Sequence, residues 1–120
     1  MKKDRDLLKQ ILLGIEEVKG ENIVVLDLTS IENPLSKYFV ICDGNSNTQV
    51  SAIANSVRKM VSKNLKEKPW KEEGMETANW VLLDYIHVIV HIFQKPVREF
   101  YNIEGFWKEA EVLDKSKILK

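Results

Sequence analysis

The sequence predicts a mixed α/β domain in the order helix, strand, strand, helix, three strands, helix, with about five strands in one sheet. Three observations carry that reading. Residues 4–19 and 46–65 repeat apolar side chains at spacings of three and four with polar and charged residues between them, the stripe of a helix that faces a core. Residues 23–28, 38–42, 80–84 and 88–93 are short apolar runs rich in β-branched residues, which suit strands. Gly20, Asn33-Pro34, Gly44, Pro69, Gly74 and Pro96 punctuate the chain around them, where turns and helix ends want such residues.

In the first helix Leu7, Leu8, Ile11, Leu12, Ile15 and Val18 form the stripe, and Gly20 ends it. The strand at 23–28 is followed by a turn from Thr29 to Ser36 around Asn33-Pro34, then by the strand at 38–42. Ser46-Asn47-Thr48-Gln49 has the form of a capping box: the Ser46 hydroxyl accepts from the Gln49 backbone N–H while the Gln49 side chain reaches back to the cap. Val50, Ile53, Ala54, Val57, Val61 and Leu65 continue as a helical stripe that ends near Pro69. Its outward face carries Arg58, Lys59, Lys63 and Lys66, which read most plainly as a solvated face. Residues 70–73 form a short strand before Gly74, and 80–84 with 88–93 form a hairpin. Pro96 opens a short helix through Tyr101. The tail, with Phe106, Trp107, Ala110 and Val112, adds a turn or two of helix before a frayed Lys-rich end, so the ordered core is expected over about 4–112.

The chain has 120 residues, 44% of them hydrophobic, which suits one core and one domain. Eighteen basic residues balance eighteen acidic ones, eight against eight through residue 60 and ten against ten after it. A protein that grips nucleic acid by neutralising phosphates shows a basic excess, so little or no direct nucleic acid contact is expected. Cys42 is the only cysteine, which excludes an intramolecular disulfide and fits a reducing compartment. No apolar run approaches the roughly 20 residues that cross a bilayer, and the N-terminus is mixed in charge. A cytoplasmic location with no membrane partner is the expectation.

The stretch Val40-Ile41-Cys42-Asp43-Gly44-Asn45-Ser46 carries a thiol, a carboxylate and a hydroxyl. As a strand that turns through Gly and Ser into a helix, it resembles the entry to nucleotidyltransferases. Those enzymes place a carboxylate pair about a dozen residues further on to hold magnesium; that window here reads Asn55-Ser56-Val57-Arg58-Lys59. Glu72 and Glu73 are strand neighbours, so they point to opposite faces and share no ion. Cys42 with His87 or His91 as base is the other catalytic arrangement, but a thiol ending an apolar run reads as a packing residue. His91 within an apolar strand reads as a core or interface histidine satisfied by one hydrogen bond, and Asp84 as a turn former. No catalytic residue, cofactor or metal is expected. Trp80, Phe100, Tyr101, Phe106 and Trp107 crowd the last third beside a helix too short to bury them. Aromatics dominate the anchors of protein interfaces, so a binding module is the better reading, its face near Trp80, Leu82 and His91.

From Leu7 to Ala110 the sequence closely resembles the ribosomal silencing factor family, also called the Iojap family. The residues that carry the resemblance are Tyr38-Phe39-Val40-Ile41-Cys42 with Gly44-Asn45-Ser46, Gln49-Val50 and Ala52-Ile53-Ala54; Glu73-Gly74; Trp80-Val81-Leu82-Leu83-Asp84-Tyr85; Val90-His91-Ile92-Phe93; and Arg98-Glu99-Phe100-Tyr101 with Glu104 and Trp107. The resemblance implies a nucleotidyltransferase-like fold without transferase activity. It further implies a translational repressor that binds protein fourteen of the large ribosomal subunit and sterically blocks joining of the small subunit when nutrients are short. Carried over by position, the partner-binding residues are Trp80, Leu82, Asp84, His91, Arg98, Tyr101 and Trp107. The aromatics are expected as anchors, Leu82 as a packing contact, and Asp84, His91 and Arg98 as polar partners that set register.

The sequence departs from the family pattern in three places: Lys37 where many members have Asp, Ile86-His87 where Gly-Asp is usual, and Gly105 where a larger residue is usual. The second is expected to change the hairpin turn, because Ile tolerates positive φ poorly, and the third to loosen the helix before Trp107. Two other readings stand beside the repressor. One is a small nucleotide-binding enzyme, and the other is a homodimer whose apolar face pairs with a second copy.

Overall fold

In the computed structural model, which describes residues 2–32 and 35–120, the chain runs α1 (Lys2–Glu17), β1 (Glu21–Asp27), β2 (Tyr38–Gly44), α2 (Asn47–Leu65), β3 (Lys71–Glu73), β4 (Trp80–Asp84), β5 (Val88–Gln94), α3 (Lys95–Tyr101), α4 (Ile103–Phe106), β6 (Glu111–Leu113) and α5 (Lys115–Leu119). The expected order of elements holds through residue 101; the Asn33-Pro34 part of the expected turn lies outside the described residues. The strands form one six-stranded sheet in the order β3-β4-β5-β2-β1-β6. Only β2 and β5 pair in parallel, with Val40 opposite Val90 and Ile41 opposite His91; the other neighbours are antiparallel.

The expected five strands and frayed tail are corrected by β6 and α5. Val112 pairs with Leu26 and Leu113 with Val25 on the free edge of β1. Asp114 then caps α5, its Oδ1 accepting from the Ser116 backbone N–H at 3.0 Å, and Ile118 is buried in the core. A three-residue strand has too few residues to show a period, so its existence depends on a distant edge to pair with.

Side chains alternate across the sheet. Val25, Val40, Cys42, Val81, Leu83, Val90 and Ile92 pack on one face with the stripes of α1 and α2. Leu26, Leu28, Phe39, Ile41, Ile89 and Phe93 pack on the other. β2 and β5 are therefore buried on both faces, which is why their sequences are continuous apolar runs. Gly14 sets the crossing of the two long helices: a Cβ there would stand 2.8 Å from the Val57 Cα, and the Ser56 hydroxyl donates to the Gly14 carbonyl at 2.7 Å.

The capping box forms. Ser46 Oγ accepts from the Gln49 N–H at 3.1 Å, and Gln49 Oε1 accepts from the Asn45 N–H at 2.8 Å, one residue before the cap. α2 ends in a left-handed residue, Lys66 at φ 59°, rather than at Pro69. At Gly74 φ is +85°, and a Cβ would collide with the Trp80 carbonyl. At the β4–β5 turn Ile86 takes a positive φ, which Ile was expected to tolerate poorly. His87 N–H donates to the Tyr85 carbonyl at 2.9 Å, closing a γ-turn around Ile86 at φ +75°, while Asp84 Oδ1 accepts from the Ile86 N–H at 2.7 Å.

Candidate partner-docking face

Among the described residues, the face of the sheet away from α1 and α2 is covered by α3, α4, the residues joining them to β6, and Ile31 of the β1–β2 connection. Pro96 opens α3, and Arg98 ties the helix down. Arg98 Nη1 donates to the Asn22 carbonyl at 2.7 Å and to Asp43 Oδ2 at 3.0 Å, and Nε and Nη2 donate to the two Glu104 oxygens at 3.1 and 2.8 Å. A planar guanidinium suits this double fork, because each carboxylate meets charge and hydrogen bonds together. The two carboxylates hold the Arg98 pKa above its ordinary value against the opposing effect of burial.

On the sheet beneath lies a continuous aromatic layer. Trp80 stacks on Phe93 with ring centroids 4.8 Å apart and Tyr101 leans on Trp80 at 4.8 Å. His91 meets Phe39 edge-on at 4.6 Å, and Trp107 meets Phe39 at 5.8 Å. Trp80 Nε1 donates to His91 Nδ1 at 3.2 Å. Burial pushes the His91 pKa down to about 4, so the imidazole is neutral near pH 7. Thr77, Trp80, Val97, Phe100 and Tyr101 line an open hollow of about 400 Å³. Phe100 and Phe106 are 81% and 80% exposed.

Of the seven residues expected from sequence, the structure brings Trp80, Leu82, His91 and Tyr101 together, with Trp107 joined to them through Phe39. Trp80, Leu82 and Trp107 are half-buried and Tyr101 is exposed. His91 and Arg98 are buried, so neither offers a free side chain at the surface. Asp84 lies at the other end of β4 from Trp80, about 13 Å along the strand, and one of its oxygens is engaged by the turn. Phe100 and Phe106 belong to this face and were absent from the expected set. The crowding of aromatics beside a short helix was their signal.

The groups that suggested catalysis are committed elsewhere. Cys42 is buried and its thiol pKa is pushed up by burial. Asp43 is held by Arg98 and by Asn22 Nδ2 at 3.2 Å. Glu72 pairs with Arg58 and Glu73 with Lys71. Among the described residues no cluster of three or more His, Cys, Asp or Glu is placed to hold a metal, and no helix is long and apolar enough to cross a membrane.

The fold is a small mixed α/β domain in which Asp43 and Arg98 are paired in the interior and an aromatic surface is left partly uncovered. Over residues 1–120 it matches the family described as ribosomal silencing factor during starvation, and the chain belongs to that family. It is 37% identical over 111 residues to the ribosomal silencing factor RsfS of Bacillus subtilis, covering 92% of each chain. The chloroplastic protein Iojap of Zea mays is 31% identical over 98 residues, covering 82% of this chain and 42% of that one. A crystal structure of a Chromobacterium violaceum protein aligns with a TM-score of 0.80 at 34% identity, over 86% of this chain and 84% of that chain. The family is named for a regulatory role and not for a reaction.

Proposed function

We propose that this chain is a cytoplasmic translational repressor of one domain that docks its aromatic face on protein fourteen of the large ribosomal subunit. Bound there, on the surface that meets the small subunit, it blocks subunit joining by bulk and so lowers translation when nutrients are short. The observation that carries the reading is the exposed set Phe100, Tyr101 and Phe106 around half-buried Trp80, Leu82 and Trp107, in a chain of this family. An exposed aromatic patch beside a closed core is the usual mark of a protein interface.

Trp80, Tyr101 and Trp107 serve as anchors in this reading, Leu82 as a packing contact and Asp84 as a polar contact at the far end of β4. Arg98 and His91 support the surface from behind. The family resemblance extends to a nucleotidyltransferase-like outline, and the chain is proposed to use it without catalysis or cofactor. Asp43 is held by Arg98 and Ser46 caps α2, which leaves a nucleotide enzyme the less supported alternative. Direct contact with nucleic acid is expected to be slight in a chain with balanced charge. A homodimer through the same face would compete with docking, and Trp80→Ala would then weaken both.

Two measurements test the proposal. The tagged chain should sediment with free large subunits, and its finding mainly on joined ribosomes would contradict the subunit-joining block. Folded Trp80→Ala and Tyr101→Ala should each bind isolated protein fourteen about tenfold or more weakly; unchanged affinity in both sinks the placement.

A further inference from the structure

Trp80 is held on three sides. Phe93 stacks on the indole at a 27° interplanar angle and Tyr101 leans on it tilted by 45°, both with centroids 4.8 Å away. Stacked rings resist tilting but slide and turn in plane at little cost. A hydrogen bond at the ring edge removes that freedom, and the 3.2 Å contact between Trp80 Nε1 and His91 Nδ1 is such a bond. The two side chains occupy diagonal positions on neighbouring strands, since Leu82 faces His91 and Trp80 faces Phe93.

A neutral imidazole carries one donor and one acceptor. Because Nδ1 accepts from the indole, the proton sits on Nε2, and Nε2 is buried with no hydrogen-bond partner. An unpaired buried donor costs about 1–3 kcal/mol, which an apolar side chain at position 91 would avoid. What the imidazole supplies in return is the one acceptor on the Trp80 edge.

We infer that His91 is a positioning residue for Trp80: it consumes the indole N–H and sets the in-plane orientation of the ring, so that Trp80 meets its partner as an apolar surface. The chemistry recognised at Trp80 is then an apolar or aromatic side chain rather than a hydrogen-bond acceptor. This rests on the proposed docking face. Depression of the His91 pKa keeps the Nδ1 lone pair available at neutral pH.

The test begins on the free, full-length, ¹⁵N-labelled chain, which needs no ribosome. Among the indole signals of its three tryptophans, that of Trp80 should exchange slowly with solvent and couple to His91 Nδ1, with the imidazole proton on Nε2. A proton on Nδ1, or fast exchange at Trp80, would overturn the inference whatever the ribosome assays report. The second arm measures affinity for purified large subunits. His91→Asn places an amide oxygen near the Nδ1 position and should bind within about threefold of the parent. His91→Leu and His91→Gln lack an acceptor there and should bind about tenfold more weakly, in line with one lost hydrogen bond. Retained binding in Gln with loss in Asn would show that a partner reads Nε2, and equal binding in all three would show that the bond does nothing; either result overturns the assignment. Failure of the parent chain to bind large subunits would sink the docking proposal and leave the spectroscopic result readable.

Discussion

One sheet carries two faces that are closed very differently. On the first, helices of 16 and 19 residues lay long apolar stripes over the strands, and Leu12, Ile53, Val57, Val90 and Ile92 are fully buried. On the second, the helices have only 7 and 4 residues, and Trp80, Leu82 and Trp107 remain partly in water. A short helix has too few side chains to cover a sheet, so the aromatic face is left unfinished where the helical face is complete. The first face therefore acts as core and the second combines core with a surface able to gain more burial from a partner.

Single substitutions can break this contrast. The largest effect is expected at the closed face: Leu12→Ala should lose about 2–5 kcal/mol of unfolding free energy in urea, while Phe106→Ala, 80% exposed, should stay within about 0.5 kcal/mol. Equal losses would mean that both faces are core. Acid should next separate the two faces through His91. Its folded pKa of about 4 lies below the ordinary 6.5, so the folded chain resists a proton that the unfolded chain takes up. Stability from this site is complete above pH 6.5 and is lost as pH falls toward 4, by about 3 kcal/mol in all. His91→Asn should lack that loss, and urea midpoints that fall in parallel for both chains would contradict it. A smaller gain is expected at the turn joining β4 and β5: Ile86→Gly should raise stability by about 1 kcal/mol by relieving φ +75° at a β-branched residue. A thermal midpoint that falls instead would show that the exposed Ile86 side chain holds the turn.

Local signals were legible. The Ser46 to Gln49 box starts α2, and the runs at 80–84 and 88–93 became a hairpin. Each depends on residues within a few positions of one another. Gly14 gives no local signal, because its role is close passage against Val57, 43 positions away in the chain. β6 was missed for the same reason, since its partner is β1.

The site divides along the same line. The sequence by itself determined that the last third holds more aromatic surface than its short helices can bury, that Asp84 belongs to a turn, and that residues 55–59 contain no carboxylate. Only the tertiary structure decided that Arg98 spends its guanidinium on Asp43, Glu104 and Asn22, and that His91 lies buried beneath Trp80 with one nitrogen engaged. Residue type specifies what a side chain can bond to, but burial and partner choice arise where distant strands and helices converge, and that convergence buried two side chains expected as surface contacts.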